Sequence, residues 1–272
     1  MPIDFTLSAY SQLLLTIKQS GYSFYTFEEW CDGKARGRYV ILRHDVDLKA
    51  GNSLTFAQIE SKMGIRSTYY FRVIPQSNQP EIIKKIAGLG HEIGYHYEDL
   101  SLFQGVEVKA IEHFKIQLEY FRQYYPVRTI CMHGSPTSKW DNRDLWKSHN
   151  YRDFGIIGEP YLDFLNSKPN FESEIEYFTD TARMWDGAIY NLRDKLSLKS
   201  ELDNPKKTSI LPVIHSTYDF INWLRMKPNL NVLMITTHPQ RWTNNYREWI
   251  LELLNQNFKN IIKRYVLRRK FK

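Results

Sequence analysis

Cysteine is scarce in this chain: Cys31 and Cys131 are the only two among 272 residues. That is too few for the disulfide framework on which small secreted domains depend, and it suits a reducing compartment. No uninterrupted apolar run is long enough to cross a bilayer. The opening Met1-Pro2-Ile3-Asp4-Phe5 lacks the basic region and apolar stretch of a signal peptide, so a cytoplasmic location is expected. Also missing are a linker rich in proline, glycine or serine, a low-complexity tract and a fixed-period repeat, which leaves a single domain over residues 1–272 as the expectation. No helix-turn-helix pattern, zinc-finger spacing or aromatic ribonucleoprotein motif is present, and no nucleic-acid partner is expected.

What is present is an ordinary globular composition, 42% hydrophobic and 25% charged, sufficient for one large core. The formal charge of +7 is unevenly spread. Much of it sits in the last helix, where Lys259, Lys263, Arg264, Arg268, Arg269, Lys270 and Lys272 accompany Phe258, Ile261, Ile262, Tyr265 and Val266. Such a helix either closes the fold with a solvated face or makes peripheral contact with anionic lipid.

Along the chain, helical and extended patterns alternate. Helices are expected near Leu7 to Ser20, Asn52 to Met63, from Pro80, Val106 to Tyr124 and Thr217 to Leu224. Strands are expected at Tyr39 to Asp47, Ser67 to Val73, His91 to His96, Thr129 to His133 and Asn231 to His238, with weaker ones near Phe154 to Ile157 and Ile175 to Thr179. The polar stretch Asp194 to Lys207 reads as a long loop. Apolar strands separated by helices imply an α/β fold, a parallel sheet covered by helices. In a barrel of such units the carboxyl ends of the strands carry the site. Asp47, His96, His133 and His238 each fall at such an end.

The run Tyr39-Val40-Ile41-Leu42-Arg43-His44-Asp45-Val46-Asp47 concentrates the chemistry. Side chains two apart share a strand face, so Arg43, Asp45 and Asp47 project together, while His44 points away as a packing or orienting residue. Two crowded carboxylates ask for a cation or a shared proton between them. Asp47 and His96 are ligand types that a divalent metal such as zinc takes; His133 is either a third ligand or a hydrogen-bonded structural histidine. Asp45 is placed to deprotonate a water and His238 to return a proton, a hydrolytic constellation. His91, of opposite parity to His96, reads as structural. Among the neighbouring aromatics, Trp185 and Trp242 are the candidates for substrate contact.

Taken in order, these residues resemble the motifs of the polysaccharide deacetylase superfamily, the NodB-homology or carbohydrate esterase family 4 group. Arg43-His44-Asp45-Val46-Asp47 looks like its first motif and Gly90-His91-Glu92-Ile93-Gly94-Tyr95-His96 like its second. Ile130 to Pro136 falls where the third lies, Asp180 and Trp185 near the fourth, and His238 at the fifth. The likeness spans roughly residues 38 to 243, with helical extensions before and after, and implies a distorted (β/α) barrel with fewer than eight regular units. Two departures mark a divergent branch. Leu100 stands where the second motif usually has another histidine, so that His133, or failing it Asp99, must complete the metal set. The third motif lacks its arginine, whose support of the base would pass to Arg43.

The resemblance implies a metal-dependent hydrolase that removes an acetyl or formyl group from the nitrogen of an amino sugar or sugar precursor of bacterial surface glycans. Asp45 would be the base, His238 the acid with Asp180 orienting it, and Asp47, His96 and His133 the ligands of a divalent metal, zinc by donor type. Arg43, Trp185, Arg241 and Trp242 would contact substrate, a small sugar or one linked to lipid or nucleotide. Two other readings stay open: a lapsed barrel serving as a glycan-binding or scaffold protein, and a C–N hydrolase acting on a non-sugar amide.

Overall fold

The computed structural model describes residues 3–136, 138–164, 175–185, 214–226 and 228–270, with side chains of the last helix described as far as 261. Helix α1 (Leu7–Gln19) begins where Thr6 accepts a hydrogen bond from the Ala9 amide, and it buries Ala9, Tyr10, Leu13, Leu14 and Ile17 at helical spacing. Strand β1 (Ser23–Tyr25) leads into α2 (Phe27–Cys31), opened by a capping box between Thr26 and Glu29. Both are too short to carry a periodic pattern, which is why the sequence shows neither.

The alternation then runs β2 (Tyr39–Val46), α3 (Ala50–Lys62), β3 (Thr68–Phe71), α4 (Pro80–Gly88), β4 (Glu92–Tyr97), α5 (Asp99–Leu102), α6 (Glu107–Arg122) and β5 (Ile130–Met132). Beyond it come β6 (Ile175–Thr179), α7 (Thr217–Arg225), β7 (Val232–Thr237) and α8 (Tyr246–Lys270). Among the described residues the strands pair in parallel, in the order β5-β4-β3-β2-β7-β6, with β1 alongside the first residues of β2. The sheet curls into a half-barrel, an α/β architecture compatible with a distorted barrel.

One expected strand is corrected. Tyr151–Phe154 is a tight 3-10 turn closed by Gly155 at φ 72°, and only Gly158 bridges to Thr129 beside β5. The left-handed backbone at Gly155 breaks the extended run that the apolar Phe154-Gly155-Ile156-Ile157 suggests. The loop expected at Asp194 to Lys207 lies outside the described residues.

Register decides which residues meet inside the curl. Arg43 pairs with Thr68 and Thr68 with Glu92; one step up, Asp45 pairs with Tyr70 and Tyr70 with Gly94; at the top His96 pairs with Cys131. The two-residue period sends these side chains to the same side and the intervening His44, Tyr69 and Tyr95 to the helices. Tyr69 bonds Glu60 of α3 at 2.8 Å, and Tyr95 bonds Asp99 of α5 at 2.9 Å. Gly94 has no alternative at its position, because a Cβ there would lie 2.3 Å from the Tyr70 ring.

Candidate metal centre

Strand β2 delivers Arg43 and Asp45 to the interior. Arg43 is fully buried; its guanidinium donates to Asp45 Oδ2 at 3.0 Å and to the Tyr161 hydroxyl at 2.7 Å, and lies 4.8 Å from the centre of the Tyr161 ring. A buried guanidinium without a counter-charge is very costly, so the pair neutralises both partners in one place. Just past the strand, the Asp47 amide donates back to the Asp45 carbonyl at 3.1 Å, a tight turn that folds the second carboxylate toward the mouth. Asp47 Oδ2 accepts from Gln240 at 3.1 Å, whereas Oδ1 is buried with no hydrogen-bond donor among the described residues.

Three imidazoles surround that carboxylate. His96 of β4 gives its Nδ1–H to the Cys131 carbonyl at 2.9 Å, His133 after β5 gives its Nδ1–H to Glu98 at 2.8 Å, and His238 after β7 gives its Nδ1–H to Asp180 at 2.6 Å. With Nδ1 so engaged, each neutral ring keeps its lone pair on Nε2. Those nitrogens converge: His96 Nε2 is 3.6 Å and His133 Nε2 3.5 Å from Asp47 Oδ1, and His238 Nε2 is 3.9 Å from Oδ2. His96 Nε2 also lies 3.9 Å from Asp45 Oδ2. Lone pairs aimed at a carboxylate repel it unless a positive charge lies between them. Two ligands bound tetrahedrally to zinc at about 2.1 Å stand roughly 3.4 Å apart, close to the 3.6 and 3.5 Å that separate His96 and His133 from Asp47 Oδ1.

Protons on the imidazoles answer the same demand. Burial pushes the Asp47 carboxyl up, but the neighbouring His96, His133 and His238 hold it well below the usual carboxylate range. His96 responds in kind: burial lowers its pKa, and Asp45 and Asp47 more than reverse that. Behind His133, Glu98 is opposed by burial yet drawn down to about 2 by His133 and by Arg72, whose Nε donates to it at 2.8 Å. A carboxylate behind a histidine fixes its tautomer and raises its basicity, as carboxylate partners of metal-bound imidazoles do. Among the described residues, Asp45, His96 and Cys131 form the buried group whose ligand atoms all lie within 4.8 Å of one another and can hold a metal ion.

No family model, curated protein or solved structure matches this chain.

The remaining candidates divide sharply. Asp180 is buried and serves His238 twice, accepting from its ring at 2.6 Å and its amide at 2.9 Å, and it also takes Arg241 at 2.9 Å and the Trp242 indole at 2.7 Å. Arg241 is therefore committed to Asp180. Expected as substrate contacts, Arg43, Trp185 and Trp242 are instead buried: Arg43 supports Asp45, Trp242 supports Asp180, and Trp185 packs on Phe220 and donates to Thr217 at 3.1 Å. The correction has one reason, that each side chain is buried among protein partners and offers almost no surface. Asp99 is excluded as the third ligand, because it turns outward to His113 at 2.5 Å and to Tyr95.

Three contributors escaped the sequence reading. Glu98 shares the parity of His96, a signal that the two-residue period could have supplied. Gln240 follows His238 by two residues with no pattern to mark it, and Tyr161 lies in a segment without periodicity. Beside His133 opens a cavity of about 530 Å³ lined by Arg72, Glu98, Ser135, Lys139 and Trp140.

Proposed function

We propose that this chain is a metal-dependent hydrolase that removes an acetyl or formyl group from the nitrogen of an amino sugar or sugar precursor of bacterial surface glycans. The observation that carries the reading is the convergence of His96 Nε2 and His133 Nε2 on Asp47 Oδ1, at 3.6 and 3.5 Å, with that oxygen lacking a hydrogen-bond donor. The motif order that resembles the polysaccharide deacetylase superfamily, and a curled sheet compatible with a NodB-like barrel, support it. Leu100, at the position of the missing histidine, is buried in the core, and His133 from the adjoining strand makes up the count.

Asp47, His96 and His133 would hold the ion, and two imidazoles with a carboxylate suit zinc. When bound, the metal supplies Lewis-acid polarisation of the acyl carbonyl and acidifies a water. The alternative set with Cys131 would take Asp45, the carboxylate this reading needs as the base, so Asp47 is the preferred ligand.

Asp45 takes the proton of the attacking water, held in place from below by Arg43 and, through it, Tyr161. The water oxygen joins the acyl carbon and the C–N bond breaks. His238, oriented through its Nδ1 by Asp180, gives an Nε2 proton to the departing amine. The cavity beside His133 receives the sugar, in the cytoplasm as a lipid- or nucleotide-linked precursor.

The test is elemental analysis of the purified protein, with acyl release measured on N-acetylated and N-formylated amino sugars and on small cyclic amides. Near-stoichiometric metal is expected in the parent and in Cys131→Ser, with loss in His133→Ala. Asp45→Asn should keep the metal and lose about 100-fold or more in turnover. Metal retained in His133→Ala but lost in Cys131→Ser would overturn the ligand set. A parent that binds metal yet releases no acyl group from any of these substrates would overturn the hydrolase reading.

A further inference from the structure

Helix α8 has its polarity reversed. Polar groups occupy its inward side: Gln256 and Asn260 are buried and bonded to each other at 2.8 Å, and Asn260 donates to the Ala182 carbonyl at 3.3 Å. Trp249 anchors the first turns, its indole N–H donating to the Asp4 carbonyl at 2.6 Å and its ring 5.0 Å from the Arg183 guanidinium. Outward, Leu251, Leu254, Phe258 and Ile261 are 60 to 65% exposed. At 3.6 residues per turn these four fall within an arc of roughly 80°. A continuous row of large apolar side chains facing water marks a surface made to be covered.

Charge identifies the cover. From Asn255 to Lys272 the sequence has seven basic residues and no acidic one, which equals the whole formal charge of +7; residues 1–254 carry 30 of each sign. Pairing this row with a second copy in parallel would bring the two excesses together. An anionic surface with an apolar layer beneath it satisfies the row and the charge at once. We propose that α8 docks in the plane of an anionic lipid bilayer, its apolar row sunk at the boundary between headgroups and acyl chains and its basic residues among the phosphates. Among the described residues no helix is long and apolar enough to cross a membrane, so the contact is peripheral. Each lysine or arginine near an anionic surface strengthens association about fivefold, and salt screens the gain. The bond from Asn260 to Ala182 ties the helix to the rim segment that begins at Asp180.

Sedimentation of the full chain with vesicles tests this. Phosphatidylcholine vesicles are compared with ones containing about a third phosphatidylglycerol, at salt from about 0.05 to 0.5 M. Binding to the anionic vesicles is expected, at least tenfold weaker on phosphatidylcholine alone and at high salt. Leu254→Glu with Phe258→Glu should weaken it by at least tenfold without changing circular dichroism, since both side chains are exposed. Lys259→Glu should lower affinity and reduce the salt dependence. No binding by the intact chain, or binding untouched by the double substitution, would overturn the proposal. A dimer abolished by that substitution, in a protein that ignores vesicles, would assign the row to a second copy.

Discussion

Arg43 is a full positive charge with no access to solvent, and among the described residues its only charged contact within 4 Å is Asp45 at 3.0 Å. The energetics of such a pair are lopsided: the intact pair adds little over an apolar replacement, whereas removing one member leaves the other charge buried and uncompensated. Arg43→Met should therefore destabilise the fold by about 3–5 kcal/mol in urea denaturation. Adding Asp45→Asn to it should recover much of that loss, since the stranded charge goes with it. A single substitution costing under about 1 kcal/mol would show that Asp45 does not depend on Arg43 for its charge balance. In the proposed hydrolase the same residue would support the base, its guanidinium coming from two residues before Asp45 on the same strand face.

At the scale of the element, β4 joins two kinds of acid. At its start Glu92 ties four segments, accepting from the Glu28 amide at 2.8 Å and Thr68 at 2.7 Å, and from Thr129. Burial nevertheless pushes its pKa up to about 7, against those hydrogen bonds. A carboxyl raised on folding takes up protons relative to the unfolded chain, so its stabilising share is complete below the unfolded pKa and is lost as pH rises to the folded one. With an ordinary value of 4.5, the loss falls between pH 4.5 and about 7 and amounts to about 3 kcal/mol. In Glu92→Gln the stability difference between those two pH values, measured by urea denaturation, should shrink by that amount relative to the parent. An unchanged difference would mean that Glu92 is ionised throughout. At the other end of β4, His96 and Glu98 serve the candidate centre, so one strand carries both the strut and the site.

For the whole molecule, the centre is a junction of β2, β4, β5 and β7, held by elements far apart in the chain. A ligand that binds only the folded junction stabilises all of it by mass action. Zinc at a hundredfold over its Kd should add about 2.7 kcal/mol to the parent and nothing comparable to His133→Ala, read as the shift in urea midpoint. Equal shifts in both proteins would place the metal elsewhere.

Residue order alone carried the α/β alternation, because strand and helix periods are local properties of the chain: most of the principal elements fall within two or three residues of their expected bounds. It also carried Asp45, Asp47, His96, His133 and His238 as a group, since polar residues at the ends of apolar strands stand out against their surroundings. It misjudged Arg43, Trp185 and Trp242, for a side chain's type says what it can bind but not whether a neighbour has already claimed it. The choice of His133 over Asp99, the turn that aims Asp47 inward, the arrival of Gln240 and Tyr161, and the outward row on α8 were decided by packing. Each depends on which side of an element faces the core, and that is settled only when strands distant in sequence take their register.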